Sequence, residues 1–272
     1  MPYLPLKNLV NEVFDMKLSV SERRQALENR FPEWPRDTIS RHFAKACQEY
    51  RNRPYLYIDG EEFTFEQVWN QGVQYAKALL KLGVKRRDHV AILMNNHYTF
   101  PSLMVASSIV GAVFIPINAM LTKNEVKYIV SQSDSQFLIL HQSVKDKNHA
   151  QAVSELLDDE DFMSNSKLKK VICVPTEENA AVDERFILWD EFLALANEVS
   201  DEQLEERWKE SKYPDEVAII MYTSGSTGSP KGVMLTDDML LRSAYSTCLS
   251  RAIEDGRVTF APLPLYDCFA II

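Results

Sequence analysis

The sequence predicts an α/β fold, with mainly parallel sheets flanked by helices. Three observations predict it. From His89 onward, short apolar runs alternate with amphipathic segments across links of a few residues, the order expected when strands lie parallel and helices cover them. The 272 residues are 46% hydrophobic and 25% charged, enough to bury a sizeable core. A Gly/Ser/Thr-rich stretch, Tyr222 to Val233, then joins the apolar run Val217–Met221 to a helix-start signal at Thr236.

The elements follow in order. Residues 1–52 read as N-terminal helices, with a charged surface helix over Ser19–Glu28 and a second over Ser40–Tyr50, after Pro35. Pro54–Phe65 predicts a β-hairpin, because Asp59-Gly60 separates two β-prone runs. Thr64 and Gln67 form a capping box that opens a helix, and Gly83 stands where that helix should stop. Residues 53–142 thus make a first α/β subdomain. It has strands at His89–Met94, Val113–Ile117 and Phe137–His141, with helices at Thr99–Val110 and Thr122–Gln132 between them. The stretch 143–212 reads as a variable excursion with a helix at His149–Leu157, a strand at Lys170–Val174 and a helix around Trp189–Ala196. Its acidic clusters, Asp158–Asp161 and Asp201–Glu206, read as solvated faces. Residues 213–272 predict a strand, a loop and a helix, then a strand at Val258–Ala261 that starts a truncated second subdomain.

Composition excludes several functions. A formal charge of −9 argues against nucleic-acid binding. The four cysteines are widely spaced and no secretory leader is legible, which predicts a reducing cytoplasm. The most apolar window, Leu103–Ile117, is too short to span a bilayer. The five histidines lack ligand spacing, so no metal site is expected.

The stretch Y-T-S-G-S-T-G-S-P-K-G-V holds three glycines, five Ser/Thr hydroxyls and Lys231. Glycines let successive N–H groups converge on one point, the hydroxyls add donors, and the lysine adds a charge, so the pattern points to a polyphosphate cradle. On an acidic chain the attraction for a polyanion has to be local. A flexible linker is the bland alternative, and the buried strand and capped helix on either side argue against it. A Walker A loop fails twice, at Pro230 and at Gly232.

From Thr223 to Gly232 the stretch resembles the phosphate loop of the adenylate-forming superfamily, which includes acyl-CoA synthetases, luciferases and peptide-synthetase adenylation domains. Upstream, F-T-F-E-Q-V, L-L-K-L-G-V, D-H-V-A-I-L-M-N-N, G-A-V-F-I-P-I-N and L-T-K-N-E-V-K-Y-I-V resemble, in order, that family's first subdomain. The resemblance is strongest to AMP-forming fatty-acid–CoA ligases, in their N-terminal half. It implies activation of a carboxylic acid by ATP to an acyl-adenylate, followed by transfer to coenzyme A or, as an open alternative, to a carrier protein. Thr223, Ser224, Ser226, Thr227 and Lys231 would grip the β- and γ-phosphates, with Thr223 and Lys231 serving catalysis. Gly225, Gly228 and Gly232 would allow close approach, and Pro230 would restrict the loop.

Two positions depart from the family pattern. Asp237 stands where relatives often carry histidine and reads as a helix-start carboxylate. In Pro264-Leu265-Tyr266-Asp267, Tyr266 and Asp267 fall where the family contacts its substrate, and Asp267 replaces the usual histidine. An acid there keeps an amino-acid-activating domain open as the alternative, since it could hold an α-amino group; a non-catalytic phosphate-binding module is the other. The family's Mg²⁺-binding motif, ribose-binding aspartate and second catalytic lysine are expected beyond Ile272, which predicts that this portion is inactive alone. Acyl chain length and oligomeric state are not legible in these residues.

Overall fold

A computed structural model describes residues 35–176, 182–211, 213–223, 229–250 and 258–267. The N-terminal helix expected over Ser19–Glu28 lies outside them. Contacts divide the chain into two units, Met1–Arg36 with Ala244–Thr259 and Asp37–Ser243 with Phe260–Ile272. Of the first, the described part consists of residues 35–36, the last turns of the helix that ends at Ser250, and residues 258–259. The larger unit holds the sheet.

In that unit α1 (Ile39–Tyr50) precedes a hairpin of β1 (Pro54–Ile58) and β2 (Glu61–Thr64). Asp59 and Gly60 both take positive φ, 53° and 84°, the twist that a two-residue hairpin turn requires. The predicted capping box is present: Thr64 accepts from the Gln67 N–H at 3.2 Å while Gln67 accepts from the Thr64 N–H at 2.8 Å. It starts α2 (Phe65–Leu82), which Gly83 ends at φ 96°.

Then β3 (His89–Leu93), α3 (Thr99–Val110), β4 (Val113–Ile117), α4 (Lys123–Gln132) and β5 (Phe137–His141) alternate as expected. A two-residue-strand hairpin, β6 (Ser143–Val144) with β7 (Lys147–Asn148), leads into α5 (His149–Leu157) and α6 (Glu160–Asn165). After them come β8 (Lys170–Val174), β9 (Ile187–Leu188), α7 (Trp189–Ala194) and, beyond a 3₁₀ turn, α8 (Asp201–Glu210). The stretch 143–212 is therefore built into the main sheet through β8 and β9. Its acidic residues are mostly solvated as expected, yet Asp159 also caps α6 and pairs with Lys127 at 2.5 Å.

One expectation fails between Lys231 and Thr236. The predicted strand–loop–helix contains a second strand: β10 (Val217–Thr223) is followed across the loop by antiparallel β11 (Lys231–Thr236), and only then by α9 (Asp237–Ser250). The signal was weak because β11 lies at the sheet edge, with Val233 and Met234 exposed, so it lacks the continuous apolar run of a central strand. Residues 258–261 form no strand, against the reading of the sequence.

The seven strands lie in the order β11-β10-β4-β3-β5-β8-β9, parallel apart from β11. Alternate residues face opposite cores. Val90, Ile92, Phe114 and Ile139 point to a core with α2 and α3, while Ala91, Leu93, Ile115 and Leu138 point to one with α4 and α5. The first helical layer packs closely: a Cβ on Gly72 would lie 2.9 Å from Val105 Cγ1 and 3.3 Å from the Ser102 carbonyl oxygen. Among the described residues, no helix is long and apolar enough to cross a membrane.

Gly72 is thus a contact point between α2 and α3. Gly72→Ala should gain helix propensity but lose more to the clash with Val105, for a net destabilisation of about 1–3 kcal/mol, measurable by urea unfolding. Val105→Ala in the same background should recover part of that loss.

Candidate functional site

The loop springs from the β10–β11 hairpin. Because β10 runs parallel to β4 and β4 to β3, the end of β10 lies at the C-terminal edge of the sheet, where open α/β folds bind ligands. Thr223 ends β10 and is the register partner of Lys231, the first residue of β11. Both are exposed, and Lys231 has no ion-pair partner among the described residues. Ser224, Gly225, Ser226, Thr227 and Gly228 lie outside the described residues. The structure therefore places the two ends of the predicted cradle directly across from each other.

The base of the loop is held by α4. The Tyr128 hydroxyl donates to the Pro230 carbonyl at 3.1 Å, and the Tyr222 hydroxyl donates to the Gln132 side chain. Burial pushes the Tyr222 phenol up to about 12, so it stays a donor at any physiological pH. Gly232 lies beneath that ring: a Cβ there would come within 2.9 Å of Ile220 Cγ2 and 3.2 Å of the Tyr222 ring. Glycine at 232 thus has a packing reason within the hairpin. These anchors supplement a short ladder, since β10 meets β4 only through Ile219–Phe114 and Pro116 has no N–H to extend it.

Pro264 to Asp267 forms a turn closed by the Asp267 N–H donating to the Pro264 carbonyl at 2.9 Å. Asn96, just past β3, holds this segment from both sides. Its amide donates to the Leu263 carbonyl at 3.2 Å and its Oδ1 accepts from the Leu265 N–H at 2.7 Å. Tyr266 packs against both cores, and burial, then the neighbouring Asp267 carboxylate, raises its phenol. Asn96 belongs to the D-H-V-A-I-L-M-N-N motif, but no local pattern marks a side chain whose partners lie 167 and 169 residues away.

His97 and His141 also meet at this edge, edge to face, with ring centroids 5.0 Å apart. Burial, then the fields of His97 and His149, lowers His141 to about 4, so it is neutral at physiological pH. No group of three His, Cys, Asp or Glu able to hold a metal occurs among the described residues.

Asp237 does more than start α9. It is buried, and its Oδ1 accepts from the Ile39 N–H at 2.8 Å, so a carboxyl in the first turn of α9 also satisfies the first N–H of α1. Thr236 caps α9 as predicted, accepting from the Met239 N–H at 3.2 Å. Burial raises Asp237 from its ordinary 3.8 to about 7 against the Ile39 hydrogen bond, with Asp37 adding to the rise.

The family model described as AMP-binding enzyme matches residues 43–272. YngI of Bacillus subtilis, provisionally named an acyl-CoA synthetase, is 29% identical over 245 residues, 86% of this chain and 44% of that protein. The mouse long-chain-fatty-acid–CoA ligase ACSBG2 is 28% identical over 226 residues, 82% of this chain and 32% of its own length. The chain thus spans less than half the length of these curated relatives. Among solved structures, the inhibitor-bound N-terminal domain of FACL13 from Mycobacterium tuberculosis superposes with a TM-score of 0.63 at 23% identity. That match covers 86% of this chain and 54% of that one, and it shows a shared fold.

The Asp237 geometry carries a pH prediction. The folded chain keeps this proton up to about pH 7, whereas the unfolded chain loses it near 3.8. The resulting stabilisation is complete below that lower value and is lost as pH rises toward 7. The unfolding free energy of the native chain minus that of Asp237→Asn should therefore fall between about pH 4 and pH 7. Urea titrations across that range check the slope.

Proposed function

The chain belongs to the AMP-binding enzyme family, and on that premise we propose that the whole protein is an AMP-forming acid–thiol ligase. It activates a carboxylic acid with ATP, releasing pyrophosphate, and passes the acyl group from AMP to coenzyme A. The observation that carries this reading is the Thr223–Lys231 pair. It sets a hydroxyl and an exposed ammonium opposite each other at the mouth of the loop, on the sheet edge where ligands bind.

Adenylation needs the phosphates held in line while charge builds on the departing pyrophosphate. Thr223, Ser224, Ser226, Thr227 and Lys231 supply donors for the β- and γ-phosphates, and Gly225 and Gly228 give the backbone room to approach them. Pro230 and Gly232 fix the loop's exit through Tyr128 and Tyr222. When bound, Mg²⁺ would neutralise phosphate charge alongside Lys231. Tyr266 and Asp267, held by Asn96 through Leu263 and Leu265, border the carboxylate site. Activation of an amino acid instead rests on Asp267 alone, and the names of the relatives above favour an acid passed to coenzyme A. Buried free thiols at Cys47 and Cys173 fit a reducing, cytoplasmic setting.

In the intact enzyme, Lys231→Ala should slow ATP–pyrophosphate exchange by roughly 10²–10³-fold, as expected for removal of one charged transition-state donor. Carboxylate binding, read by equilibrium titration, should change little. Exchange at the native rate would remove Lys231 from the reaction.

A further inference from the structure

Two residues of α4 hold the two strands that carry the loop. The Tyr128 hydroxyl donates to the Pro230 carbonyl at 3.1 Å, and the Gln132 side chain accepts from the Tyr222 hydroxyl. Positions 128 and 132 are i and i+4, so both lie on one face of the helix. Each bond ends one residue short of the pair at the loop's mouth. Pro230 precedes Lys231, and Tyr222 precedes Thr223.

The rest of the sheet does not reach that far. β10 is tied to β4 at Ile219–Phe114, which leaves about 13 Å of extended chain before Thr223. Over that length β10 pairs with β11 alone, and a two-stranded ribbon is strongly twisted and marginally stable by itself.

The helix is a firmer mount. Val126, Ile129 and Val130 bury it against the core beneath, and the Thr122–Glu125 capping box fixes its start. The rings of Tyr128 and Tyr222 pack against that same core, so each hydroxyl is aimed by a packed ring.

We propose that Tyr128 and Gln132 are positioning residues for phosphate binding, setting the height and angle at which Lys231 and Thr223 meet the β- and γ-phosphates. The role rests on the phosphate-gripping reading of the loop and adds to it the part of the fold that aims the grip. Neither side chain touches a phosphate in this arrangement. AMP lacks the β- and γ-phosphates, so loss of either bond should be felt by ATP and not by AMP.

Equilibrium titration of the intact enzyme with ATP and with AMP, in the presence of Mg²⁺, tests this and needs no acid substrate. Tyr128→Phe keeps the packed ring, Gln132→Leu alters an exposed side chain, and each removes one hydrogen bond. Each should weaken ATP roughly three- to tenfold, the worth of one hydrogen bond, and leave AMP unchanged. In a Lys231→Ala background Tyr128→Phe should weaken ATP by less, because the group it aims is gone. Equal losses for ATP and AMP, or full additivity with Lys231→Ala, would mark a merely structural role and overturn the proposal. Native ATP affinity in either variant, where Lys231→Ala loses it, overturns the role of that residue and leaves the loop reading standing. ATP affinity unchanged in Lys231→Ala as well removes the phosphate grip itself, and the positioning role with it.

Discussion

Burial of β3, β4 and β5 on both faces is the constraint on which this structure depends. Val90, Ala91, Ile92 and Leu93 are fully enclosed, and Phe114, Ile115, Leu138 and Ile139 nearly so. Each such Val, Ile, Leu or Phe side chain contributes roughly 1.5–3 kcal/mol when removed from water, which is available only if helices cover both sides. Crossover helices keep the strands parallel, and parallel strands bring their C-terminal ends to one edge. The loop stalk, Asn96, His97 and His141 all lie at or just beyond that edge for this reason.

The hairpin that carries the loop is attached differently. Its ladder to β4 is one partner pair long, so side chains supply much of its position. Ile219 and Met221 enter one core and Ile220 the other, while Tyr128 and Tyr222 link the hairpin to α4. Such a stalk is fixed to the sheet at its base, and toward its tip its two strands pair with each other out to Thr223 and Lys231.

Legibility in the sequence followed the range of the forces involved. The Thr64–Gln67 and Thr122–Glu125 capping boxes, the Asp59-Gly60 turn and the stop at Gly83 involve residues a few positions apart, and each formed as read. β11 did not announce itself, because an edge strand beside solvent keeps no strict apolar pattern. Asp237 read as a helix-start carboxylate; that it also holds the start of α1, 198 residues away, could not be read from its neighbours.

By itself, then, the sequence determined the α/β class, the strands and helices of the first subdomain, and the motif from Thr223 to Gly232. These depend on propensity, periodicity and contiguous motifs, all local properties of the chain. Only the tertiary structure decided that Thr223 faces Lys231, that Tyr222 covers Gly232, and that Asn96 holds Leu263 and Leu265. Those relations are set by strand register and by side chains meeting across the fold, and their energies exist only once distant segments have been brought together.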